Sequence, residues 1–256
     1  MLRGTCIATL TVGTLSLQAG ATIYQDSFSR EGLLHGSAPD VAPGAETWTA
    51  HDQEGATTPA TDGSVLTFSA ARRNMFLPFT PQAGNVYELS VDVKIDGTSD
   101  ASDWHGLGFQ GDIETLNDGA NMAFPDPDPE AGRAWMLLRN NGASLAFAGP
   151  GTQNNLGGDA TGTHASDVFH TLKVVLDTTA SQWTYTAYIN NVAIAPTHTY
   201  AVGENPDIHN VSLNAAGNNG FAYTYDNFQL VPEPASLALL GLGGLALLGR
   251  RRKQQA

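Results

Sequence analysis

The chain has 256 residues, with 25 Asp or Glu against 12 Lys or Arg, a formal charge of −13, and one cysteine. So negative a surface repels a phosphate backbone, which excludes nucleic acid as a partner, and a lone thiol cannot form an internal disulfide. The acidity is concentrated, since all 25 carboxylates lie between Asp26 and Glu233 beside seven Lys or Arg, a balance of −18 for that stretch. Aspartate outnumbers glutamate 17 to 8. A salty habitat or calcium would suit that bias, and so would turns, which favour Asp for backbone reasons.

At the N-terminus, Arg3 supplies a minimal positive region, Thr5 to Leu17 is mostly apolar, and Ala19-Gly20-Ala21 fits a small-x-small cleavage site. Together these predict a secretory signal helix over residues 1–21. Cleavage there starts the mature chain near Thr22 and removes Cys6. Cys6 precedes most of the apolar run instead of following it, which argues against lipid attachment. Stability of the body must then come from a core, with or without a metal.

Residues 22–230 are enough for one all-β domain. From Val86 to Ile95 the positions Tyr87, Leu89, Val91, Val93 and Ile95 are apolar and those between are polar, the period of a half-buried strand. Val168 to Asp177 repeats the pattern with Leu172, Val174 and Leu176, and Gln182 to Asn190 with Trp183, Tyr185, Ala187 and Ile189. The turn cluster Asp177 to Ser181 joins these two into a hairpin. Shorter strands are predicted near Ile23–Phe28, Ser64–Ser69, Met75–Phe79, His105–Gln110, Arg133–Arg139, Ser144–Ala148, Val192–Ala195, Ile208–Asn214 and Phe221–Leu230. No helical period is sustained outside the chain ends, so a two-sheet antiparallel β-sandwich is expected.

Catalytic chemistry leaves few traces. Glycoside hydrolysis needs two carboxylates across the scissile bond, and no Glu-x-Asp-x-x-Glu strand motif is present. Glu88 and Asp92 share a strand face, but it is the polar face of a regular amphipathic strand. Asp112 and Glu114 form a second same-face pair in a loop-like stretch. There is no Gly-x-Ser-x-Gly elbow, no His-Glu-x-x-His, no phosphate loop, and no two of the seven histidines stand three or four apart. Hard oxygen ligands for calcium gather in loops, with Asp100, Asp103, Asp112, Asp118, Asp126 and Asp128 as candidates, without an EF-hand pattern. Trp48, Trp104, Trp135, Trp183, Tyr185 and Tyr188 could stack on sugar rings, and Trp104, beside the acidic loops, is the one expected to be exposed.

The tail begins with Val231-Pro232-Glu233-Pro234, expected to be a stiff, extended, solvent-accessible peptide that ends the domain. Ala235 to Gly249 is uncharged and holds seven Leu; as a helix it spans about 23 Å, short for a bilayer but within reach of thinning and snorkelling. Arg250, Arg251, Arg252 and Lys253 then hold residues 250–256 at the cytoplasmic face, which places the body outside.

Motif, helix and basic end, in that order over residues 231–256, resemble the PEP-CTERM sorting signal of Gram-negative bacteria. The resemblance implies an inner-membrane precursor, an exosortase that cuts off the tail, and delivery of the body to the cell surface or extracellular matrix, often in exopolysaccharide-producing bacteria. An uncleaved anchor is the alternative. Within the body, Tyr24-Gln25-Asp26-Ser27-Phe28, the hairpin around Trp183 ending Ile189-Asn190-Asn191-Val192, and the closing Tyr225 to Leu230 resemble the concanavalin-A-like or laminin-G-like jelly roll. That implies two antiparallel sheets of six or seven strands, one concave, with the chain ends paired or adjacent. The function expected is a non-catalytic exported protein, with or without a bound polysaccharide; a secreted glycan-active hydrolase or lyase with a divergent site is the alternative.

Overall fold

The computed structural model describes residues 21–52, 59–68, 73–95, 103–111, 132–149, 154–216 and 223–233. The signal helix expected over residues 1–21 and the membrane helix expected over 235–249 fall almost wholly outside them, and no helix among the described residues is long and apolar enough to cross a membrane. All regular structure among the described residues is strand: β1 (Tyr24–Asp26), β2 (Glu31–Leu33), β3 (Thr49–Asp52), β4 (Ala60–Asp62), β5 (Leu66–Phe68), β6 (Arg73–Pro78), β7 (Val86–Lys94), β8 (Trp104–Gln110), β9 (Gly132–Arg139), β10 (Ser144–Ala148), β11 (Asn155–Gly157), β12 (Phe169–Asp177), β13 (Thr184–Ile189), β14 (Val192–Ala193), β15 (His198–Thr199), β16 (Asn210–Ala216) and β17 (Tyr223–Glu233).

They form two antiparallel sheets. The first has ten strands along the path β14-β13-β12-β7-β17-β5-β4-β2, with β1 on β17 and β15 on β13; the second has seven, in the order β11-β10-β9-β8-β16-β6-β3. The first sheet exceeds the six or seven strands expected because short strands share an edge end to end. β5 pairs with Tyr223 to Tyr225 of β17 and β1 with Phe228 to Leu230, while β14 and β15 divide β13. A bulge at Asn227 (φ 53°) separates the two segments of β17. The chain ends of the body are thus paired, as a jelly roll requires.

Alternation explains the central strands. β7 alternates half-buried and buried along all of its residues, and β13, and β12 after its exposed first residue Phe169, do the same in the register Leu172↔Ile189 and Val174↔Ala187. The turn between β12 and β13 is held by Asp177, whose carboxylate accepts Thr179 N–H at 2.8 Å and Thr179 Oγ1–H at 2.6 Å. On the outer face Glu88 pairs with Lys173 at 3.2 Å, and Asp92 accepts Thr171 and Asn227 at 2.6 and 3.0 Å, so this carboxylate pair belongs to a surface network.

The two sheets are bolted together by tyrosines. Tyr24 donates to Pro78 O at 2.6 Å and Tyr185 to Trp135 O at 2.6 Å, Tyr225 donates to Asn214 O, and Tyr200, just past β15, to Arg133 O at 2.8 Å. Each hydroxyl crosses from the ten-stranded side to a main-chain carbonyl of the seven-stranded sheet, so a large apolar ring is buried without orphaning its polar end. Burial drives the Tyr185 and Tyr225 hydroxyls well above their ordinary range. His105 lies in the same interior, with ring centroids 5.3 and 5.2 Å from Tyr223 and Tyr225; burial pushes it down to about 3, against a smaller upward pull from the Leu138 backbone.

One corner is organised by a carboxylate. Asp26 is fully buried at the end of β1 and accepts both guanidinium nitrogens of Arg30 at 2.7 Å, Trp48 Nε1–H at 2.7 Å and Phe28 N–H at 2.9 Å. Phe28 takes φ 51° to make that turn, and Trp48 then packs edge-on against Phe228 at 5.0 Å. Trp48, considered above as a sugar platform, is instead core, with its one donor spent on Asp26.

Candidate functional site

In a two-layer sandwich the outward face of a sheet is normally wet. Here the outward positions of the seven-stranded sheet are Asn74, Phe76 and Pro78 on β6, Trp104, Gly106, Gly108 and Gln110 on β8, Arg133, Trp135, Leu137 and Arg139 on β9, Leu145 and Phe147 on β10, and Asn210, Ser212, Asn214 and Ala216 on β16. Phe76, Trp104, Trp135, Leu137, Phe147 and Ala216 make a second apolar cluster, separate from the main core. Trp135 stacks on Phe147 with centroids 4.3 Å apart and 17° between planes, and Trp104 follows at 6.1 Å.

Two glycines make this paving possible. A Cβ on Gly108 would lie 2.3 Å from Trp135 Cβ, and one on Gly106 would lie 2.8 Å from Trp104 Cζ3. The Trp104 ring therefore lies over Gly106, and the Trp135 main chain and Cβ close against Gly108 while its ring stacks towards β10. Gly108→Ala should cost about 1–3 kcal/mol through overpacking, because the nearest atoms belong to backbone and Cβ and cannot swing aside. Thermal unfolding checks it, with loss of near-UV tryptophan signal expected at the same time.

Trp104 was expected to be exposed and is only 5% exposed. The sequence places it next to polar loops; in the fold its ring lies over the bare strip at Gly106 and within the cluster of Trp135 and Phe147. Trp135 and Tyr185 are fully buried, Trp183 is half-buried against the core, and Tyr188 lies on the outer face under Lys173 Nζ at 5.3 Å.

Beside the aromatic cluster runs a polar row that the sequence reading did not single out. Asn214 Nδ2 donates to Ser212 Oγ at 3.0 Å, Asn210 Nδ2 donates to Gly111 O at 2.8 Å, and Gln110 stands next to Asn210 in register. Gln110 is fully buried, and among the described residues neither its amide oxygen nor its amide nitrogen has a hydrogen-bond partner. Such an orphaned amide costs about 1–3 kcal/mol and is uncommon in a native interior. Only the period-two pattern of Asn210, Ser212 and Asn214 could have revealed this row in the sequence.

Of the calcium candidates, Asp103 is fully buried immediately before β8, whereas Asp100, Asp112, Asp118, Asp126 and Asp128 lie outside the described residues. Among the described residues no three His, Cys, Asp or Glu side chains stand close enough to hold a metal.

The second functional element is at the other end of the chain. Val231, Pro232 and Glu233 were expected as a free peptide; they are the last residues of β17, half-buried and paired with Glu88, Tyr87 and Val86 of β7. Proline is tolerated because β1 ends at Tyr24↔Leu230, leaving that side of Pro232 without a partner strand. Pro234 and the basic residues Arg250, Arg251, Arg252 and Lys253 lie outside the described residues.

Residues 230–253 match the PEP-CTERM protein-sorting motif. The chain carries a PEP-CTERM sorting motif. This marks an exported protein made as a membrane-anchored precursor, processed by an exosortase and sorted to the cell surface. The match begins at Leu230, a fully buried core residue, so sorting motif and folded body overlap in β17. No curated protein matches the chain. Among solved structures, an endo-1,3-beta-glucanase from Streptomyces sioyaensis superposes with a TM-score of 0.55 at 14% identity, covering 90% of this chain and 99% of its own. The metal-free exoplasmic/lumenal domain of VIP36 gives 0.49 at 12% identity, covering 82% and 96%. The likeness to the glucanase, at this identity, establishes the jelly-roll fold alone.

Proposed function

We propose that this PEP-CTERM protein is a non-catalytic surface or extracellular-matrix component whose body holds a polysaccharide on the outward face of the seven-stranded sheet. The observation that carries the reading is Gln110, a buried donor and acceptor pair with no hydrogen-bond partner among the described residues, set at the end of an Asn-Ser-Asn row on the face that carries Trp104, Trp135 and Phe147. Adjacent hydroxyls of a sugar ring offer one acceptor and one donor, which an amide can take together, and the C–H face of a pyranose suits an indole. None of the outward strand positions named above is Asp or Glu, whereas hydrolysis needs two carboxylates roughly 5–9.5 Å apart. That favours binding over catalysis.

Trp104 and Gln110 are 5% and 0% exposed, so the face is closed and a glycan enters only as it opens. Association should accordingly be slow, below about 10⁵ M⁻¹s⁻¹. A glucanase with the same fold makes 1,3-β-glucan the first polymer to try. The test is a glycan array with calorimetry on the mature body, run beside a hydrolysis screen. Gln110→Leu should weaken binding at least about tenfold while leaving thermal stability equal or higher, since it removes an unsatisfied amide. A body that retains no polysaccharide overturns the proposal, and one that releases reducing ends replaces it with the enzyme.

A further inference from the structure

We propose that the folded body holds its sorting motif in a form the processing enzyme does not read, so that the end of β17 must unzip from β7 before the motif is recognised. This rests on the sorting reading and adds a step to it. The carbonyl of Leu230 accepts Ile23 N–H at 2.9 Å, so the polar main-chain groups of Leu230 face β1. Successive residues of a strand point these groups to opposite sides. Those of Val231 and Glu233 therefore face β7, opposite Glu88 and Val86, while those of Pro232 face the open side beyond the end of β1. Pro232 has no N–H. Over these three residues the free edge of the docked strand presents a single carbonyl and no donor.

Extended peptides are captured by strand addition, through main-chain donors and acceptors along one edge. Once docked, this motif has already given its donors to β7, and the proline blanks the other edge in the way natural sheets protect themselves from pairing. The side chain is held too. Pro232 turns inward with Leu230 and lines a cleft of about 390 Å³ with Ile23, Tyr24, Phe79 and Tyr87. Nor does the sequence provide a spacer, since the apolar run starts at Ala235, two residues past Glu233. Unzipping Val231 to Glu233 breaks the pairing with β7 and withdraws Pro232 from that cleft but leaves Leu230 in the core, so the step is local.

The test is a pulse-chase of the full-length chain in an exosortase-bearing host, following the shortened product by mass. Three chains are compared: the unmodified one, one with a short Gly-Ser linker inserted between Leu230 and Val231, and one with Glu88→Cys and Val231→Cys, cross-strand neighbours that oxidation locks together. The linked chain should be shortened on the order of tenfold faster, from the main-chain bonds it no longer has to break. The locked chain should stay full length until a reductant is added, then be shortened like the unmodified one. Equal rates for the unmodified, linked and locked chains overturn the inference alone. An unmodified chain that is never shortened overturns the sorting reading and the inference with it.

Discussion

An Asp26→Ala chain is expected to lose about 3–5 kcal/mol of stability, because it deletes a fully buried carboxylate that is the acceptor for the Trp48 and Phe28 N–H groups and the main partner of the half-buried Arg30. Asp26 has no exposed surface and is the acceptor for four hydrogen bonds, two from Arg30, one from Trp48 and one from the Phe28 backbone. Removing it leaves the Trp48 N–H unpaired in the interior and releases the turn that holds Phe28 at φ 51°. The loss should appear as a lower urea midpoint with an unchanged denaturant slope, since the unfolded surface is the same. Asp26→Asn keeps one carbonyl for Trp48 but cannot receive the Arg30 fork, and should fall between. A loss under about 1 kcal/mol for Asp26→Ala would mean that the corner is held by the aromatic packing of Trp48 against Phe228 instead.

The second large effect is acid lability. His105 has an ordinary value of 6.5 and burial takes it to about 3 in the folded chain. Between those values the unfolded chain carries a proton that the folded chain refuses, so stability falls as pH falls. The contribution is fully present above pH 6.5 and is spent on approaching pH 3. At 1.36 kcal/mol per unit this amounts to roughly 4–5 kcal/mol. His164 and His198 are also lowered by burial and add to the same window in the same direction, while the carboxylates held low by hydrogen bonds, such as Asp40, act nearer pH 4 and below. His105→Phe separates these contributions, because it keeps a ring against Tyr223 and Tyr225 but cannot be protonated. Its stability should vary much less between pH 6.5 and 4.5 than that of the unmodified chain. Parallel slopes for the two chains would show that His105 does not carry the effect.

Much of the fold is legible in the sequence wherever one strand face is buried along its whole length. β7, β12 and β13 each bury every second residue, so composition alone reports both the strand and its inward face. The five strands that escaped the reading, β2, β3, β4, β11 and β15, have two to four residues each. Strands that short carry no period, and their neighbours' hydrogen bonds hold them in place. Asp26 lies within the predicted strand Ile23–Phe28, where nothing local marks it out; its role depends on Trp48, 22 residues away.

The sorting motif was readable because its chemistry is contiguous: prolines, an apolar run and a basic end act in sequence order, and Leu230 to Lys253 match it. The candidate glycan face was not, because its parts come from β6, β8, β9, β10 and β16 and meet only in register. Trp104 shows why. Its ring needs the missing side chain of Gly106, two residues on, and neighbours from β9, a dependence on register that the local sequence does not display. Pro232 shows it again from the other side. Proline forbids a main-chain donor, which the sequence states, but whether a strand can still carry it depends on which edge lacks a partner. That was decided by where β1 stops, at Tyr24 opposite Leu230.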